Sequence, residues 1–94
     1  MREFKEFLLD NKTISEQSVY MPVGTEVVNV SNTDRGLMLL AIVPASGYEN
    51  GAPEIRTFKI CANGENFIAS TVKYIGSFES ITGNKHVIEL KKEF

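Results

Sequence analysis

The chain has 94 residues, 43% of them hydrophobic and 23% charged, which allows one domain with one core and excludes a chain that is disordered throughout. Its 10 basic and 12 acidic residues leave a formal net charge of −2; binding to long nucleic acid, which needs a basic excess to neutralise phosphates, is not expected. The only cysteine is Cys61, so no internal disulfide can form, and no apolar run is long enough for a signal-peptide core or a bilayer span; an intracellular protein is the expectation.

Glu3 to Leu9 opens the chain ambiguously. Phe4, Phe7 and Leu8 have helical spacing, yet no N-cap precedes them and two turns are marginal for a helix. Gln17 to Met21 predicts a strand ended by Pro22, with Gly24 completing a turn. Thr25 to Ser31 predicts the next strand, with Glu26, Val28 and Val30 on one face. Asn32 to Gly36 reads as a hairpin loop whose Asp and Gly suit positive φ. Leu37 to Val43 is apolar on both faces: such a strand is buried on both sides, or one side meets another subunit.

Ala45 to Glu54, with Tyr48 at its centre, predicts the longest loop and the one freest to carry function. Ile55 to Cys61 alternates, with Arg56, Phe58 and Ile60 on one face and Thr57 and Lys59 on the other. Ala62 to Asn66 is a polar connection. Val72 to Phe78 predicts a strand with Val72, Tyr74 and Phe78 together, and Thr82 to Asn84 a turn into Lys85 to Leu90, where His86, Ile88 and Leu90 share a face. The pattern implies a single all-β domain over residues 1–94: a small antiparallel sandwich or partly open barrel of six to seven strands, most simply joined by hairpins between chain neighbours.

The chemistry-bearing residues are few. One His and one Cys, His86 and Cys61, show no metal-ligand spacing, and could form a nucleophile–base pair only by meeting across the sheet. No positive group flanks Cys61 to activate its thiol. The glycine loops that cradle phosphates are missing. The expectation is therefore no cofactor, no metal and no catalysis. What remains is a set of cations interleaved with aromatics: Arg35, Arg56, Lys59, Lys73 and Tyr74, with Asn63 and Asn66 in a loop and Tyr48 in another. Arg and Lys clamp phosphates, Tyr stacks on bases, and turn amides in Ala62 to Asn66 offer anion contacts. The plain alternative is that these are solvated strand positions. The set forms one cluster only if strands 55–61 and 72–78 are neighbours.

Three stretches resemble a family of small β proteins of phages and prophages. Glu16-Gln17-Ser18-Val19-Tyr20-Met21-Pro22-Val23-Gly24, leading into Val27-Val28-Asn29-Val30, is similar to that family's first strand and its proline–glycine turn. Gly36 to Val43 resembles its central apolar strand. Arg56-Thr57-Phe58-Lys59-Ile60, Gly64, Lys73-Tyr74-Ile75-Gly76-Ser77 and His86-Val87-Ile88-Glu89 resemble its closing pattern. The chain departs from that pattern at Ala62-Asn63-Gly64, where the family often has Gly-Thr-Gly, and at Lys85, which stands where an aromatic is common. In size, origin and architecture such proteins resemble phage anti-defence sponges of the anti-CBASS type.

The resemblance implies an oligomer in the host cytoplasm that sequesters a cyclic nucleotide signal, such as a cyclic dinucleotide, without cleaving it. Arg56, Lys59 and Lys73 would hold phosphates, Tyr74 or Tyr48 would stack on a base, and Asn63 or Asn66 would read base edges. An inhibitor or adaptor acting on a host protein through a sheet face or edge is the second expectation. A signal-degrading enzyme, with His86 as its only neutral-pH acid or base, ranks last.

Overall fold

Alternating apolar and polar positions need a second sheet to cover their apolar side. The computed structural model, which describes residues 2–10, 16–44, 53–68 and 71–91, supplies it. Seven strands are present: β1 (Arg2–Leu9), β2 (Gln17–Met21), β3 (Glu26–Thr33), β4 (Gly36–Pro44), β5 (Glu54–Ala62), β6 (Val72–Ser80) and β7 (Gly83–Leu90). They form a three-stranded sheet in the order β1-β4-β3 and a four-stranded sheet in the order β2-β5-β7-β6, with every neighbouring pair antiparallel. The architecture is an all-β sandwich, with no helix among the described residues and no closed barrel.

Chain neighbours are not generally sheet neighbours. Only β3–β4 and β6–β7 are adjacent in both senses. The chain changes sheets after β2, where Pro22 has no N–H to give a ladder and Gly24 takes φ 88°. There the Thr25 hydroxyl donates to the Pro22 carbonyl at 2.6 Å. The β3–β4 turn closes between Thr33 and Gly36. Only its glycine has positive φ, at 123°; Asp34 does not, contrary to the sequence expectation.

The ambiguous first segment is a strand. β4 offers it a full ladder from Arg2–Pro44 to Leu9–Leu37, which outweighs a two-turn helix with no cap. The doubly apolar β4 lies at the centre of that sheet. Leu37, Leu39, Ala41 and Val43 face inward and are fully buried, while Met38, Leu40 and Ile42 face outward and are half-buried.

The core is filled from both sheets, by Leu9, Val30, Leu39, Met21, Phe58 and Val87 among others. Two β-bulges alter its composition from strict alternation. The register of β3 slips between Val27 and Asn29, so Val27 and Val30 enter the core and Val28 is left exposed. The register of β6 slips between Tyr74 and Gly76, so Ile75 and Phe78 enter the core and Tyr74 turns outward. Each extra residue reverses the facing of the positions beyond it; the expected pairing of Val28 with Val30, and of Tyr74 with Phe78, is therefore not found. The two irregular segments meet. A Cβ at Gly76 would stand 3.1 Å from Val30 Cγ1 and 3.2 Å from Asn29 Oδ1, so the missing side chain lets β6 approach β3 closely.

Candidate functional site

Because β7 lies between β5 and β6, the β5–β6 connection must cross over it. The connection starts with a turn in which Glu65 N–H donates to the Ala62 carbonyl at 3.2 Å, Gly64 takes φ 91° and the Glu65 carboxylate accepts from Ala62 N–H at 3.1 Å. It rejoins the sheet where Lys91 N–H donates to the Thr71 carbonyl at 2.8 Å. On the outer face of the four-stranded sheet this leaves an open recess of about 260 Å³, bordered by Asn63, Gly64, Phe67, Tyr74 and His86. Its floor is Ile88, which is only 2% exposed although it points away from the core.

Three side chains at this recess form a chain of hydrogen bonds. The Tyr74 hydroxyl lies 3.0 Å from His86 Nδ1, and His86 Nε2 lies 2.6 Å from Asn63 Oδ1. The neutral imidazole protonated on Nε2 satisfies both contacts: Tyr74 O–H donates to Nδ1, and Nε2–H donates to the amide oxygen. The Tyr74 and His86 rings sit 5.8 Å apart, tilted by 48°. Tyr74 is 57% exposed and Phe67 54%, so both leave aromatic surface open to solvent beside the recess.

Cys61 stands opposite His86 on the neighbouring strand, so the two do meet across the sheet. The thiol is not activated. Burial pushes its pKa up, the Glu65 carboxylate raises it further by charge and by a hydrogen bond, and Lys59 opposes them. A protonated, buried thiol is a poor nucleophile.

The expected cation cluster divides. Strands β5 and β6 are not neighbours, since β7 separates them. Asn63 and Tyr74 border the outer recess, whereas Arg56 and Lys73 border a second, larger recess of about 670 Å³ at the end of the sheet, with Glu54 and Glu89. Arg56 is committed there. Its Nε and Nη2 engage the Glu89 carboxylate at 2.5 and 2.7 Å, and its Nη1 donates to the Thr25 carbonyl and lies 3.5 Å from Glu54. The hydrogen bond to Glu89 is the main reason its pKa is raised, against the opposing effect of burial. The guanidinium thus joins β5 and β7 to the segment leading into the other sheet, with few donors left for a phosphate.

Lys59 lies 3.8 Å from Glu65. Arg35, on the β3–β4 turn of the other sheet, lies 3.7 Å from Glu6. Asn66 is exposed in the crossing segment. Tyr48 falls outside the described residues.

Sequence reasoning missed Phe67, and weighed His86 as a metal ligand, as a base for Cys61 or as a general acid or base, but not as part of a ligand-binding site. The crossing segment that carries Phe67 follows from the strand order, which no local pattern encodes. The Tyr74–His86 contact follows from the bulge at Ile75, for which the only local signal is Gly76 inside a strand. Among the described residues, no group of three or more His, Cys, Asp or Glu side chains gathers into a metal site, and no helix is long and apolar enough to cross a membrane. Compared with protein-family models, curated proteins and solved structures, the chain matches none.

Proposed function

We propose that this chain binds a small nucleotide in the recess between Asn63, Phe67, Tyr74 and His86 and holds it without cleaving it. The finer form of the proposal is a phage immune-evasion protein that sequesters a cyclic nucleotide defence signal, such as a cyclic dinucleotide, in the host cytoplasm. The observation that carries the reading is the Tyr74–His86–Asn63 chain beside an exposed Phe67. Tyr74 and Phe67 offer the flat apolar surface on which a base stacks. Asn63 and His86 offer a donor and acceptor edge that can exchange its internal hydrogen bonds for those of a base.

Lys59 supplies the phosphate contact. It shares the outer face with Ile88 and His86, its charge is felt at Cys61, and its 3.8 Å pair with Glu65 is partly exposed and weak. Arg56 has a structural role in this account. Lys73 borders the other recess and contributes little to the ligand. Both His86 nitrogens are engaged and the Cys61 thiol is protonated, which supports binding over group transfer.

The test mixes purified protein with cyclic dinucleotides, cyclic trinucleotides and cyclic ADP-ribose isomers. The complex is separated by size and heat-denatured, and the released nucleotide is identified by chromatography. Recovery of an intact nucleotide is expected. An altered nucleotide would make the protein an enzyme, and retention of none would remove the nucleotide reading.

One observation favours a second reading, in which the chain inhibits or adapts a host protein. The outer face of the three-stranded sheet shows Phe4, Leu8 and Val28 exposed beside half-buried Met38, Leu40 and Ile42. Capture of one host protein at unit stoichiometry, with no nucleotide bound, would favour it.

A further inference from the structure

We infer that two copies of this chain associate through β1, edge to edge and antiparallel, about a two-fold axis at Phe4. β1 is the outer strand of its sheet, hydrogen-bonded on one side to β4 and to no other strand among the described residues. An open strand edge pairs readily with another strand unless its side chains forbid it. Here they select one arrangement. The run Arg2-Glu3-Phe4-Lys5-Glu6 reads plus, minus, aromatic, plus, minus. Reversed against itself about Phe4, it sets Arg2 opposite Glu6, Glu3 opposite Lys5 and Phe4 opposite Phe4. All four charged positions then face an opposite charge, and a two-fold interface repeats each contact.

Other registers are disfavoured by the same residues. Centring on Lys5 sets Lys5 against Lys5, and centring on Glu6 sets Glu6 against Glu6. Displacing the axis by half a residue either way would pair an outward-facing residue of one copy with an inward-facing residue of the other, which a continuous sheet does not allow. The charges that would guard this edge against unrelated strands are therefore complementary to a second copy of it. Phe4 at the axis is 72% exposed and pairs with Ile42 on the outer face, so Phe4–Phe4 stacking joins the two apolar outer faces into one. The present Arg2 contact to the Gly24 carbonyl and the Glu6–Arg35 pair are exposed and easily exchanged. Lys5, which already has partners within its own chain and lies 5.5 Å from the Phe7 ring, must exchange or share them with Glu3 of the partner subunit. The product is a continuous six-stranded sheet in the order β3-β4-β1-β1-β4-β3. This edge belongs to the sheet opposite the nucleotide recess, so the inference stands independently of the proposed function.

The test is sedimentation equilibrium of the full chain up to about 100 μM, in the micromolar range where modest interfaces are populated. Wild type is expected to be a dimer. Lys5→Glu sets Glu against Glu3 of the partner subunit twice and is expected to weaken it by about tenfold or more. Glu3→Lys is expected to do the same, and the double variant Glu3→Lys/Lys5→Glu to restore the wild-type constant to within about threefold, since it exchanges the charges without separating them. Circular dichroism confirms that each variant is folded. A wild-type monomer, a dimer indifferent to Lys5→Glu, or a double variant no better than either single one would each overturn the inference.

Discussion

The hydroxyl of Tyr74 meets Nδ1 of His86 at 3.0 Å because the bulge in β6 turns Tyr74 out of the core while Ile75 takes its place inside. A local irregularity in one ladder thus creates both the core packing of β6 and the aromatic border of the recess. Ring and hydroxyl have separable roles. Tyr74→Ala should weaken nucleotide binding by about 1–3 kcal/mol, the range for loss of one base-stacking aromatic. Tyr74→Phe keeps the ring and should lose about 1 kcal/mol or less, the usual net contribution of one hydrogen bond. Calorimetric titration of both variants with the recovered nucleotide checks the split. Neither should change the unfolding midpoint greatly, since Tyr74 is largely exposed.

Arg56 tests the opposite assignment. With its guanidinium and the Glu89 carboxylate 14% and 13% exposed, removal of one partner strands the other in a mostly dry site. Arg56→Ala should destabilise the fold by about 2–4 kcal/mol, and Arg56→Met with Glu89→Leu by less. Urea unfolding gives both values. Nucleotide affinity measured on folded Arg56→Ala should stay near wild type, whereas a phosphate-holding Arg56 would lose it.

Gly76 and Gly64 are restricted for different reasons. Alanine at 76 brings a methyl within 3.1 Å of Val30 and 3.2 Å of Asn29, so overpacking should cost about 1–3 kcal/mol. Alanine at 64 meets nothing within 4 Å but must hold φ near 91°, which should cost about 1–2 kcal/mol. Denaturant midpoints report both. Only Gly64→Ala should also weaken nucleotide binding, since its turn carries Asn63.

These residues also show how far the sequence could be read. β2 was legible from Gln17 to Met21 because Pro22 ends it, and β4 from its apolar run between Gly36 and Pro44. The hairpins at Gly36 and Gly83 were legible from turn chemistry. β1 was not, since Phe4, Phe7 and Leu8 satisfy a helical spacing as well as a strand, and the ladder that decides lies on β4. The bulges at Val28 and Ile75 defeated alternation, and with them the facing of Tyr74. Of the expected site, Tyr74 and Asn63 come together, but Arg56 is held at another recess by Glu89 and Glu54, and Lys73 borders that recess as well. Which carboxylate claims which cation depends on strand order, a property of the whole sheet.

Cys61 gives a pH dependence with a defined sign. Burial and Glu65 raise its pKa in the folded chain above the ordinary thiol value of 9.0. The stability this contributes is therefore complete below that value, and is lost as pH rises through the higher folded value. Wild type should lose stability in alkaline solution relative to Cys61→Val, with the difference between the two constant near neutrality. Urea titrations from pH 7 upward check this. Alkylation of the folded thiol at neutral pH should also be about tenfold or more slower than that of an exposed cysteine.

The most direct test of the nucleotide-binding account is an amide chemical-shift titration of the full chain with the same nucleotide panel. The account predicts that one nucleotide moves the resonances of Asn63, Gly64, Phe67, Tyr74, His86 and Ile88 in a saturable way, and leaves those of Arg56, Lys73 and Glu89 nearly still. Shifts centred on Arg56 and Lys73, or none with any nucleotide, would contradict it.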